Sequence, residues 1–153
     1  IDDTRPFHPM RIAVLTVSDT RSLSDDRSGD TLVGRIEKAG HVLADRAICI
    51  DDRALIADQL RTWAADPQID AILSDAFATI FALVSFQKIG TSAVQSRACA
   101  GVAHGTYIFA LPGSPGACKD AWDEILVKQF DYRHMPCNFV EIMPRLEEHL
   151  RRK

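Results

Sequence analysis

"RIAVLTV", residues 11–17, decides the fold. Apart from Arg11 and Thr16 the run is apolar and rich in β-branched residues, with no alternation of polar and apolar positions. Such a run suits a strand buried on both faces, which is the situation of a strand inside a parallel sheet covered by helices on each side.

The flanks agree. Before the strand, residues 1–10 with Pro6 and Pro9 read as an irregular arm. After it comes a polar loop, "SDTRSLSDDRSGD", residues 18–30. Ser28 or Asp30 is expected to cap the helix that follows, where Leu32, Val33, Ile36 and Ala39 recur at helical spacing and Gly40 ends the run. Residues 41–50 read as a second strand, irregular near Asp45-Arg46. Asp51-Asp52 then hands over to a helix whose apolar stripe is Leu55, Ile56, Leu60 and Trp63. "IDAILS", residues 69–74, is a third strand, and residues 77–86 read as a helix. Two short strands, residues 98–102 and 106–111, flank a hairpin turn at Ala103-His104-Gly105. A last helix follows Pro115-Gly116, and a tail interrupted by proline ends the chain.

Alternation of strand and helix predicts an α/β fold: a mostly parallel sheet with helices on both faces and one antiparallel hairpin. The division expected is an arm at 1–10, one domain over 11–130, and a tail at 131–153 placed at subunit contacts with the arm.

Composition narrows the function classes. The chain has 153 residues, 46% hydrophobic and 25% charged, enough for one ordinary domain. A net charge of −3 gives no general attraction to nucleic acid or anionic membrane. No apolar run approaches the roughly 18 residues of a membrane span, and the first residues do not form a signal peptide. Cys49, Cys99, Cys118 and Cys137 are widely spaced and predict neither disulfides nor a zinc knuckle, so a cytoplasmic protein is expected. The five histidines, at 8, 41, 104, 134 and 149, are scattered and read as surface residues. There is no Walker A sequence, no G-x-G-x-x-G, no G-x-S-x-G and no H-E-x-x-H.

What remains is a set of small and polar residues at strand ends. Thr16, Ser18 and Asp19 close the first strand, Asp51 and Asp52 the second, Ser74 the third, and "LPGSPGA" (residues 111–117) the last. In a parallel sheet these ends share one edge, where ligands usually bind. Glycine admits a phosphate close to the backbone, serine donates a hydrogen bond, and a helix N-terminus favours negative charge. Carboxylates in the same cleft suit a Mg²⁺ that bridges phosphates. Each piece also has a plain structural reading: "LPGSPGA" as a turn before a helix, Asp51-Asp52 as an N-cap with a first-turn carboxylate, and the 18–30 segment as a solvated loop. The functional reading rests on their sharing an edge.

Four stretches then point to a family. "AVLTVSDTRSLSDDRSG", "AGHVLADRAICIDDRALI", "KIGTSAVQSRACAGVAHG" and "IFALPGSPGACKDAWDEIL" together resemble the molybdenum cofactor biosynthesis proteins of the MoaB/Mog type, over about residues 11–126. The tail "PCNFVEIMPRLEEH" resembles bacterial B-type members. The resemblance implies a three-layer αβα sandwich that binds molybdopterin. In active members AMP passes from Mg-ATP to the terminal phosphate of the pterin and pyrophosphate leaves. It also implies homo-oligomers, trimers or hexamers. By motif, Asp51 corresponds to the catalytic carboxylate after the second strand and to a Mg²⁺ ligand. Thr16, Ser18 and Asp19 correspond to the first-strand loop, Ser96 and Arg97 to the pterin side, and Gly113, Ser114 and Pro115 to the phosphate-facing turn.

One departure stands out. The family carries a glycine-rich "TGGTG" stretch after the third strand, then an Arg-Asp pair and a connecting segment. Here Ser74 stands where that stretch begins, and Asp75-Ala76-Phe77 already resumes the following helix. Either the segment lies outside the chain as written, which the start at Ile1 instead of Met favours, or it is deleted and leaves half a site. The alternative to an adenylyltransferase is thus a non-catalytic molybdopterin-binding or scaffold paralogue.

Overall fold

The computed structural model describes residues 1–74, 87–88 and 99–146. β1 (Arg11–Val17) lies between β2 (Val42–Cys49) and β3 (Ala71–Ser74), parallel to both. On its other side β3 pairs with the parallel β5 (Thr106–Ala110), and β4 (Cys99–Ala103) runs antiparallel beside β5. The order is β2-β1-β3-β5-β4, a mixed sheet with one antiparallel pair.

The reading of residues 11–17 holds because successive side chains of a strand face opposite ways. Ile12 and Val14 enter one core with Ala71, Leu73, Tyr107 and Phe109; Ala13 and Leu15 enter the other with Ile72. The first core is closed by α1 (Arg27–Lys38) through Leu32 and Ile36. It is closed as well by α3 (Pro115–Ala121), which runs on through a π-helical turn at Trp122–Leu126 into α4 (Val127–Gln129). The second core is closed by α2 (Arg53–Ala64) through Trp63 and Ala64. Helices on both faces make three layers. The helix expected over residues 77–86 falls outside the described residues.

Local chemistry explains the joints. At the sheet's entry Arg11 grips Asp70 through Nε at 3.0 Å and Nη2 at 2.6 Å, tying the starts of β1 and β3. The irregularity expected in the second strand is a bulge: Ile12 pairs with Leu43 but Ala13 with Asp45, leaving Ala44 over. Asp45 then accepts a 2.9 Å hydrogen bond from the Trp63 indole, joining β2 to α2. The β4–β5 turn is the two-residue loop His104-Gly105, with φ of 49° and 78°, as a type I′ hairpin requires.

Four expectations are corrected. α1 is capped by Asp26, not by Ser28 or Asp30: the Asp26 carboxylate accepts from Gly29 N at 3.0 Å. The 18–30 segment is therefore not wholly solvated, since Asp26 is fully buried. His41 is not a surface residue; it is 6% exposed, among Phe7, Trp122 and Phe130. Leu55, placed in the apolar stripe of α2, is instead exposed.

Asp26 joins more of the fold than its short side chain suggests. It accepts from the Thr16 hydroxyl at 2.7 Å and from Arg46 Nη2 at 3.0 Å, and its backbone carbonyl takes a second bond from Arg46. Arg46 also pairs with Asp30 at 2.8 Å. Gly29 is required here, because a Cβ at that position would overlap the Asp26 carboxylate. Burial pushes the Asp26 carboxyl up, but Gly29 N–H, the Thr16 hydroxyl and Arg46 together hold it below the ordinary carboxylate range. Its contribution to stability is thus present above about pH 4 and lost as pH falls through the lowered value. We expect Asp26→Ala to lose about 2–4 kcal/mol in urea unfolding at neutral pH, because the helix cap and the Thr16 bond go and the half-buried Arg46 keeps only Asp30 as a partner. The gap between wild type and variant should narrow in acid.

Candidate functional site

The C-terminal ends of β1, β2, β3 and β5 lie along one edge, and the chain turns there are where the candidate residues collect. The β1–β2 ladder runs one residue past the strands: Ser18 N donates to Cys49 O at 2.8 Å. The next step is a side-chain clamp. Asp19 Oδ1 accepts from the backbone N–H of Asp51 at 2.8 Å, so the loops after the two strands are held together and both acids stand at one point of the edge.

The two neighbouring aspartates have different tasks. Asp52 caps α2, its Oδ1 accepting from Ala54 N at 2.8 Å and Leu55 N at 3.0 Å. Asp51 is exposed, and among the described residues its carboxylate has no hydrogen-bond partner. Ser18 Oγ accepts from the backbone of Thr20 and Arg21, shaping the loop. Thr16 is 1% exposed and its hydroxyl is committed to Asp26, so its side chain points into the body and not along the edge.

Ser74 ends β3 and pairs with Leu15 and Ala110, which puts its backbone between the other strand ends. Gly113, Ser114 and Pro115 are exposed at the start of α3. Pro115 occupies the first turn, and Ser114 Oγ accepts from Ala117 N at 3.2 Å. Ser96 and Arg97 lie outside the described residues, as does the junction after Ser74. β2 and β5 are separated by β1 and β3, so at ordinary strand spacing the axes of these two strands are roughly 14 Å apart. A ligand that touches both ends must be elongated.

Sequence reasoning passed over Arg21. Its backbone joins the Ser18 turn and its guanidinium reaches Ser28 Oγ at 3.1 Å, so it ties this loop to the first turn of α1. The signal was its place three residues after Ser18 in the same loop. Among the described residues no group of three or more His, Cys, Asp or Glu is gathered to hold a metal. The donor set fits a weaker arrangement: Mg²⁺ commonly takes one or two carboxylates and completes its shell with phosphate and water. Asp51 and the second oxygen of Asp19 are available for that. A cavity bounded by Asp66, His104, Thr106 and Met143 opens at the opposite edge, away from these residues. No helix among the described residues is long and apolar enough to cross a membrane.

Residues 13–132 match the family described as "Probable molybdopterin binding domain". The chain is 40% identical to the molybdenum cofactor biosynthesis protein B of Escherichia coli K12, covering 87% of this chain and 92% of that protein. With the protein of the same name from Bacillus subtilis it shares 31% identity over 78% of this chain and 85% of that one. A crystal structure of a molybdenum cofactor biosynthesis protein B superimposes with a TM-score of 0.76 at 22% identity, over 97% and 100% of the two chains. A molybdopterin biosynthesis enzyme from Thermus thermophilus superimposes at 0.61 and 21% identity, over 92% and 94%. These structures share the fold. The E. coli comparison extends over 157 positions yet involves only 87% of this 153-residue chain, so roughly two dozen residues of the relative have no counterpart here.

The two aspartates should separate in a stability measurement. Asp52→Ala, which removes a helix cap, is expected to lower the unfolding free energy by about 1 kcal/mol. Asp51→Ala, at an exposed carboxylate that accepts no hydrogen bond among the described residues, is expected to stay within about 0.5 kcal/mol of wild type. Urea titration of the two variants checks both.

Proposed function

The chain belongs to the molybdopterin-binding domain family of the molybdenum cofactor biosynthesis proteins, and from that premise we propose that it binds molybdopterin along the C-terminal edge of its sheet and transfers AMP to it. In this reaction an oxygen of the pterin's terminal phosphate attacks the α-phosphorus of ATP. The new P–O–P bond forms as the bond to the β-phosphate breaks, and pyrophosphate carries away the released charge. No covalent nucleophile from the protein is needed; the chain's part is alignment and charge placement.

The observation that carries this reading is the Asp19–Asp51 clamp. It fixes the loop after β2 by its backbone and leaves the Asp51 carboxylate open at the edge. In the proposed site Asp51 is the catalytic carboxylate, and Asp19 holds its backbone in place. Mg²⁺, when bound with the nucleotide, would be held by Asp51 and Asp19 and would screen the converging phosphates. Ser18 and Arg21 line the phosphates beside the clamp. Gly113, Ser114 and Pro115 receive the phosphate end of the pterin at the start of α3, with Ser74 between. Ser96 and Arg97 are assigned to the pterin side. Thr16 acts through Asp26, holding the loop from below. A homo-oligomer, trimer or hexamer, belongs to the same proposal.

A second reading, binding without turnover, is favoured by the roughly two dozen residues that the E. coli relative has and this chain lacks. One experiment separates the two. With molybdopterin, ATP and Mg²⁺ supplied, pyrophosphate release that depends on all three is expected, and Asp51→Ala should reduce it by at least about a hundredfold while the variant still folds. Pterin binding, followed by fluorescence, with no pyrophosphate from the wild-type chain would overturn the transfer and leave the binding role. Absence of both would overturn the site.

A further inference from the structure

We propose that His41 is a proton-operated latch that holds the N-terminal arm, residues 1–10, against the body of the domain at neutral pH and lets it go on acidification. The latch is built where α1 turns into β2. Gly40, at a φ of 84°, swings the chain back, and His41 N donates to Ile36 O at 3.0 Å. The imidazole is thereby set beneath the arm, 5.2 Å from the ring of Phe7 and against Trp122 and Phe130.

One hydrogen bond gives the ring its role. The backbone N–H of Met10 donates to His41 Nδ1 at 3.2 Å. A backbone amide only donates, so Nδ1 must carry the lone pair and the neutral ring must carry its proton on Nε2. The next proton therefore arrives at Nδ1. There it meets the Met10 N–H head-on, donor against donor. Protonation of His41 and the Met10 bond exclude each other. Met10 is the joint of the arm, since its carbonyl also accepts from Val42 N at 2.9 Å at the entry to β2.

The rest of the arm is held by contacts nearer the surface. Asp2 N donates to Arg133 O at 2.9 Å; Arg5 lies 3.8 Å over the Tyr132 ring and pairs with Glu141 at 3.2 Å; His8 packs edge-on to Tyr132. The one ion pair among these, Arg5–Glu141, has its carboxylate exposed and contributes little. The buried bond to His41 is the contact whose loss frees the joint.

Charged groups on the elements packed around the ring are Arg35, Glu37 and Lys38 at the end of α1, Lys119 and Asp120 of α3, Asp123 and Glu124 of the π-helical turn, Lys128 of α4, Asp131 and Arg133 after it, and Asp2, Asp3, Arg5 and His8 of the arm. Asp131 is the one whose charge acts on the ring, and it favours protonation, although it is itself tied to Arg133 at 2.9 and 2.8 Å. Burial pushes the other way and prevails, holding His41 below its ordinary value. A depressed histidine contributes stability that is complete above the unfolded value, near about pH 6.5, and is lost as pH falls through the folded one.

Amide hydrogen exchange on the full chain, followed from about pH 7.5 to about pH 5.5, tests the latch. Protection of Met10, taken relative to Val14 in the middle of β1 to remove the intrinsic pH dependence, should fall severalfold, by up to about tenfold. In His41→Asn, whose side-chain oxygen can still accept from Met10 but does not titrate, the ratio should stay flat. A constant ratio in the wild type, or an equal fall in His41→Asn, overturns the proposal. Should that variant not fold, the ¹⁵N shifts of the wild-type His41 ring at neutral pH decide. A lone pair on Nδ1 upholds the latch, and a proton there removes it.

Discussion

A carboxylate with no exposure to water, Asp26, is the constraint on which the architecture turns. It reaches three elements at once: Thr16 of β1, Gly29 of α1 and Arg46 of β2. Without such a centre the loop after β1 would be a long polar excursion with no fixed shape. With it, the segment between Thr16 and Asp26 is pinned at both ends, and Ser18 and Asp19 are delivered to the sheet's edge in register with Asp51. A charge buried without partners is among the most unfavourable things a fold can contain. Here the penalty is offset by a guanidinium, a hydroxyl and a helix N–H, and the edge chemistry inherits the resulting order.

Much of this was legible in residues 11–17. A run with no alternation forces both faces of the strand to be covered, and the split of Ile12 and Val14 from Ala13 and Leu15 between two cores is that inference realised. The hairpin was legible for a different reason: few residues other than glycine accept the positive φ that Gly105 adopts. Asp26 was not legible. Ser28 and Asp30 fit the N-cap position as well by residue type, and nothing local says that Arg46, twenty residues on, reaches over the loop. His41 was missed similarly. Its burial is decided by Phe7, Trp122 and Phe130, which arrive from distant parts of the chain.

The candidate site shows the same division. Strand ends on a shared edge follow from topology, and topology follows from the strand pattern. Which of two adjacent aspartates caps a helix and which stays open does not, because "DD" before a helix satisfies either assignment. The structure assigns the cap to Asp52 and leaves the Asp51 carboxylate open. Thr16, equally polar on paper, is turned inward by a partner that sequence alone does not name.

The bulge at Ala44 has a consequence for the molecule among its neighbours. Among the described residues β2 is an outermost strand, and the outward row of N–H and C=O groups on such a strand is a template on which foreign chains can stack. An extra residue breaks the even spacing of that row, and Asp45 and Arg46 place charges just beyond the break. A chain approaching this flank finds no continuous ladder to extend. The kink that lets β2 follow the twist of β1 is also its defence against fibrillar growth.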